Sequence, residues 1–112
     1  MLSRGNCYRD FVKIGPCDRF FEKTHPNGHH LEIQGRLSQY RGIEVFFGVY
    51  GSQGMRLIEE HHVLCSVFSL EEAMIWAAKR ARPVWLGDVA EFLWAATLTP
   101  STAFTKSSPS PY

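Results

Sequence analysis

The 112 residues predict an α+β fold in which an antiparallel meander comes first and helices come last. Three observations predict it. Thr24-His25-Pro26-Asn27-Gly28-His29 reads as a hairpin turn, Gly51-Ser52-Gln53-Gly54 separates two strand-like stretches, and Ser69-x-x-Glu72 and Asp88-x-x-Glu91 match the capping box that opens a helix.

The first hairpin is the clearest element. Proline presets φ for the first central position of the turn, asparagine tolerates the next, and glycine takes the positive φ that returns the chain. It joins a strand over 18–23 to one over 29–37. In the latter, Leu31, Ile33, Gly35 and Leu37 alternate with His30, Glu32, Gln34 and Arg36, the period of a half-buried strand. Upstream, 8–14 reads as a weaker strand ended by Gly15-Pro16, which makes the sheet four- or five-stranded.

The second hairpin pairs 42–50 with 55–65. Ile43, Val45, Phe47 and Val49 fill one face of its first arm while Phe46 and Tyr50 lie on the other, so this strand is expected to be covered twice. If Gly51 and Gly54 pair across the turn, Glu44 lies opposite His61.

A helix is expected over 69–81, with Leu70, Ala73, Met74, Ala77 and Ala81 as its apolar stripe, Lys79, Arg80 and Arg82 at its carboxyl end, and Pro83 as its stop. A second helix is expected over 88–97. With both helices after the sheet, they pack on one face. Phe46, Tyr50 and Ile58 then form a second apolar surface, buried by a second copy, by curling of the meander into a half-barrel or by the second helix wrapping around. Of the last fourteen residues, ten are Ser, Thr or Pro, so 1–98 is the expected domain and 99–112 a tail.

Composition excludes several functions. Twelve Lys and Arg against eleven Asp and Glu leave a formal charge of +1, with no global field for nucleic acid or an anionic membrane. No apolar run has the length of a signal peptide or a membrane span, so a cytoplasmic protein is expected. Cys7, Cys17 and Cys65 have the spacing of neither a zinc site nor a disulfide framework and read as separate thiols. The glycines at 48, 51 and 54 lack the strand-to-helix context and lysine of a phosphate loop, and nothing calls for a cofactor.

Glu59-Glu60-His61-His62 places one carboxylate and one imidazole on each side of a strand, and Glu44 across from His61 would orient the ring and raise its pKa. That is the acid–base pair of a small enzyme, or a solvated strand end. His25, His29 and His30 are weak metal candidates: Pro26-Asn27-Gly28 forbids the helix that would align the first two, and adjacent strand residues point apart. Lys79, Arg80 and Arg82 beside strand aromatics outline a nucleic-acid surface, yet the trio is also helix C-terminal charge. The leading expectation is a non-catalytic binding or regulatory module. It would be homodimeric, with Phe46, Tyr50 and Ile58 as protein interface or small-ligand groove. The alternatives are a small His/Glu enzyme and a nucleic-acid accessory protein.

Overall fold

A computed structural model describes residues 1–38 and 42–87. The elements run α1 (Asn6–Ile14), β1 (Arg19–Thr24), β2 (His30–Leu37), β3 (Ile43–Tyr50), β4 (Arg56–Leu64) and α2 (Leu70–Trp85). The four strands form an antiparallel meander in the order β1-β2-β3-β4. The expected helix over 88–97 and the tail 99–112 lie outside the described residues. None of the described helices is long and apolar enough to cross a membrane.

Both turns form where their glycines permit. In the first, the His25 amide donates to the His29 carbonyl at 2.9 Å and Gly28 takes φ of 94°. In the second, Gly54 takes φ of 89° and Gly51 donates to the Met55 carbonyl. The register beyond it is Phe46 against His61 and Glu44 against Val63, two residues away from simple pairing of Gly51 with Gly54. Val49 pairs with Ile58 and Tyr50 with Arg56, so Leu57 is the extra residue of a β-bulge. A shift of two preserves parity, and every side chain of β3 keeps its expected face.

α2 packs on the face of Ile43, Val45, Phe47 and Val49. Ala73, Ala77, Ala81 and Val84 are buried against these residues together with Leu31, Ile33 and Leu64. Its start is the expected cap: the Ser69 hydroxyl accepts from the Glu72 amide at 3.1 Å, while the Glu72 carboxylate accepts from Phe68 at 2.6 Å. Its end differs from expectation, because the helix passes through Pro83 and continues to Trp85. Proline there removes one hydrogen bond in the last turn. The terminal carbonyls find tertiary partners instead: Asn27 Nδ2 donates to Trp85 O at 3.1 Å, and His29 Nδ1 lies 3.1 Å from Val84 O.

The stretch 8–14 is not a fifth strand. It belongs to α1, in which Cys7, Tyr8 and Phe11 recur at helical spacing and Phe11 is fully buried. α1 lies on the opposite face of the sheet from α2. Tyr8 meets Phe46 edge-on at 5.6 Å, and Phe11 meets Phe46 at 5.9 Å. This helix does what curling or a second copy was expected to do. Phe46 and Tyr50 are 0% exposed within one chain. Ile58 is on the other side, against the α2 core, because it pairs with Val49.

Candidate functional site

The sheet face beneath α1 is unusually polar for a buried surface. β2 contributes Glu32, Gln34 and Arg36, which are 2%, 7% and 6% exposed. Buried groups of this kind persist only when paired, and the pairing divides them into two groups.

The first group anchors α1. Its N-cap is Gly5, which has no side chain to satisfy the exposed amides. The Glu59 carboxylate of β4 does so, accepting from Gly5 N at 3.0 and 3.1 Å and from Tyr8 N at 3.4 Å, a favourable place for an anion at the positive helix end. Tyr50 donates its hydroxyl to Glu59 at 2.6 Å and accepts from Arg4 at 3.2 Å. Arg4 continues to Glu32 at 2.7 Å, and Glu32 accepts from Gln34 at 2.7 Å. Burial, with the Glu59 hydrogen bond, pushes the Tyr50 hydroxyl well above its ordinary pKa. Burial opposes the charge on Arg4, but Glu32 and Tyr50 outweigh it and leave the guanidinium more strongly protonated. Cys7 is pushed up by burial and by Glu59, so its thiol is a poor nucleophile.

The second group opens onto a cleft. The Arg36 guanidinium carbon lies 3.8 Å over the centre of the Phe11 ring, and its Nε donates to Glu44 at 2.6 Å. Its Nη1 donates to the Gly15 carbonyl at 2.7 Å, holding the carboxyl end of α1. Its Nη2 is buried and, among the described residues, has no acceptor. The other Glu44 oxygen lies 3.3 Å from His61 Nε2, reached diagonally rather than across the strand pair. Burial lowers the His61 pKa and outweighs Glu44, which pulls the other way. The expected rise is therefore overturned: desolvation of the imidazolium beneath Phe11, 5.3 Å away, exceeds the attraction of one carboxylate. Around Arg36 and Glu44, Ile14, Gly15, Pro16, Asp18, Leu37 and Ser38 complete a cleft of about 440 Å³.

The other half of the Glu/His cluster faces α2. His62 Nε2 and Arg80 Nε each approach Glu60 Oε1 at 2.6 Å, and the His62 ring stacks on Phe47 and meets Trp76 edge-on. Glu60 is partly buried, which alone would raise its pKa, but the hydrogen bonds from His62 and Arg80 lower it overall. Arg80 is thus committed to Glu60 and does not stand with Lys79 and Arg82 as an open basic trio. Phe46 and Tyr50, being buried, present no stacking, interface or ligand surface.

The turn histidines go to separate tasks. His25 packs on Trp85, His29 meets the α2 carboxyl end, and His30 lies between Glu22 at 3.1 Å and Thr24 at 2.9 Å. Among the described residues no group of three or more His, Cys, Asp or Glu could hold a metal ion. Sequence reasoning missed Arg36, Asp18 and Arg4. Arg36 was legible only as the polar half of an alternating strand, and nothing local marks it as buried.

No protein-family model matches this chain, and neither does any curated protein or solved structure.

Proposed function

We propose that this protein is a non-catalytic binding module whose ligand seat is the cleft at the carboxyl end of α1. The observation that carries the reading is Arg36, which lines the cleft and whose buried Nη2 has no acceptor among the described residues. A guanidinium offers five donors, and leaving some unmet in a desolvated place is costly unless an acceptor arrives.

Charge narrows the ligand. Arg36 is outnumbered by Glu44 and Asp18, and the cleft adjoins the negative end of the α1 dipole, so a bare anion is disfavoured. A small neutral molecule carrying an acceptor beside a donor, as an amide does, meets Arg36 with one atom and a carboxylate with the other. Ile14, Pro16 and Leu37 supply apolar walls for its remainder.

The test is a titration of the isotope-labelled full chain with N-acetylglycinamide, acetate and methylammonium, each followed by NMR. Saturable shifts of the Leu37, Ser38 and Glu44 amides with the amide probe alone, lost in Arg36→Lys, are expected. No shift at these positions with any probe, or an equal response to acetate, overturns the reading.

One observation favours a second reading, a small acid–base enzyme. A neutral His61 held by Glu44 is the protonation state of a general base. His61 is not among the cleft-lining residues, which is why binding is preferred. Conversion of a substrate that fails with His61→Gln but persists with His62→Gln would favour the enzyme.

A further inference from the structure

The two oxygens of Glu44 have different partners. Oε1 accepts from Arg36 Nε at 2.6 Å, within the cleft lining, and Oε2 lies 3.3 Å from Nε2 of His61, which is not among the lining residues. Arg36 and Glu44 stand directly opposite each other on β2 and β3, and His61 reaches in from β4. One carboxylate thus joins the guanidinium of the cleft to a ring behind it that can change its charge. The His61 side chain is 21% exposed, so a proton reaches it from solvent. Glu44 is 12% exposed and Phe11 meets the ring edge-on at 5.3 Å, so the pair interacts where screening by water and salt is weak.

We propose, resting on the reading of the cleft as an amide seat, that His61 is a positioning residue for Glu44 and that protonation of His61 weakens binding in the cleft. A carboxylate only accepts, so the neutral ring carries its proton on Nε2 and donates one bond to Oε2. Glu44 then keeps its negative charge for the N–H of an incoming amide. Protonation adds a proton on Nδ1 and a full positive charge. The imidazolium draws the carboxylate toward β4, and it joins Arg36 Nε in competing for the same two oxygens. Hydrogen bonds from charged donors are about twice as strong as those from neutral ones, so the amide N–H is the competitor that loses.

The groups around the ring set where this happens. Glu44 on β3 favours the imidazolium, while Arg36 on β2 and His62 on the other face of β4 oppose it. Glu59, two residues away on the same face, is taken up by the amides of α1. Cys7, which α1 turns toward the Glu59 carbonyl, has its thiol pushed up and uncharged, and the charged residues of α1, Arg9, Asp10 and Lys13, are exposed. Burial is the largest influence and, with Arg36 and His62, outweighs Glu44. The ring is therefore neutral at pH 7 and gains its charge only in acid, so affinity falls as pH falls.

The test is a titration of the isotope-labelled full chain with N-acetylglycinamide at intervals between about pH 8 and about pH 4.5, above most of the ordinary carboxylate range. Kd is read from the Leu37, Ser38 and Glu44 amides, and the protonation of His61 from its ring carbons. Kd should rise at least about fivefold across the His61 titration and, because coupling between two sites is reciprocal, saturating probe should lower the His61 midpoint by at least about 0.7 of a pH unit. The midpoint shift is measured in the natural chain and needs no variant. His61→Gln, which still donates to Glu44 but cannot gain a charge, should abolish the rise, and His62→Gln, which changes the face under α2, should keep it. A constant Kd while the ring titrates, a ring that stays neutral down to the lowest pH, or a rise that persists in His61→Gln overturns this inference and leaves the cleft reading standing. No saturable shift at any pH overturns both.

Discussion

The Tyr50 hydroxyl donates to Glu59 at 2.6 Å, and the carboxylate it meets is the one that receives the amides of Gly5 and Tyr8 at the start of α1. A tyrosine in β3 and a glutamate in β4 together hold a helix whose start precedes both by more than forty residues.

Removing that carboxylate should release the helix. Glu59→Ala is expected to cost about 2 kcal/mol, as loss of a helix cap combined with a stranded Tyr50 hydroxyl. Hydrogen exchange should quicken first at the amides of Tyr8 to Phe11. Unchanged protection there would mean that α1 is held by Phe11 packing alone.

Gly48 makes room for the Tyr50 ring two residues along its own strand. A Cβ at Gly48 would lie 2.5 Å from the Tyr50 hydroxyl oxygen and 2.8 Å from Cζ. Gly48→Ala should therefore destabilise by about 1–3 kcal/mol through overpacking. The loss should be smaller when Tyr50 is already valine, a non-additivity that a urea double-mutant cycle measures directly.

Phe46 is a core residue and not an interface residue. Phe46→Ala should cost about 3–5 kcal/mol, as deletion of a buried aromatic does, and Phe46→Asp should fail to fold. A folded Phe46→Asp chain with altered mass would contradict the burial under Tyr8 and Phe11.

Acid should act in two stages. The folded His61 pKa is lowered, chiefly by burial, so the unfolded chain takes up this proton first. Its contribution is complete above the unfolded pKa of about 6.5 and is lost as pH falls from there through the folded value. Glu60 is also lowered, its hydrogen bonds to His62 and Arg80 outweighing burial, and its contribution disappears only as pH falls below about 4.3. Melting temperature measured against pH should show both declines. His61→Gln should remove the first and leave the second.

Much of the fold is local and was readable as such. The two turns, the alternation of β2, the Ser69–Glu72 cap and the two-sided apolar character of β3 each express a conformational preference within a few residues. α1 does not. Its cap comes from Glu59, and nine residues, with apolar side chains at 7, 8, 11, 12 and 14, are too few to separate helix from strand by periodicity. The end of α2 is similar: Pro83 is a stop by local rules, yet the helix runs on to Trp85, where Asn27 Nδ2 donates to the Trp85 carbonyl and His29 Nδ1 meets that of Val84. In the candidate site, the facing of Glu59 and His61 against Glu60 and His62 follows from strand geometry and was foreseen. The sign of the His61 shift was not, because it depends on what buries the ring.

By itself, the sequence determined the meander, its turns and which side chains of β3 share a face, since these depend on backbone preferences and the two-residue period of a strand. Only the tertiary structure decided what covers the second face. Burial and capping depend on residues distant in the chain, and α1 held by Glu59 is what removes Phe46 and Tyr50 from any surface and creates the cleft at Arg36.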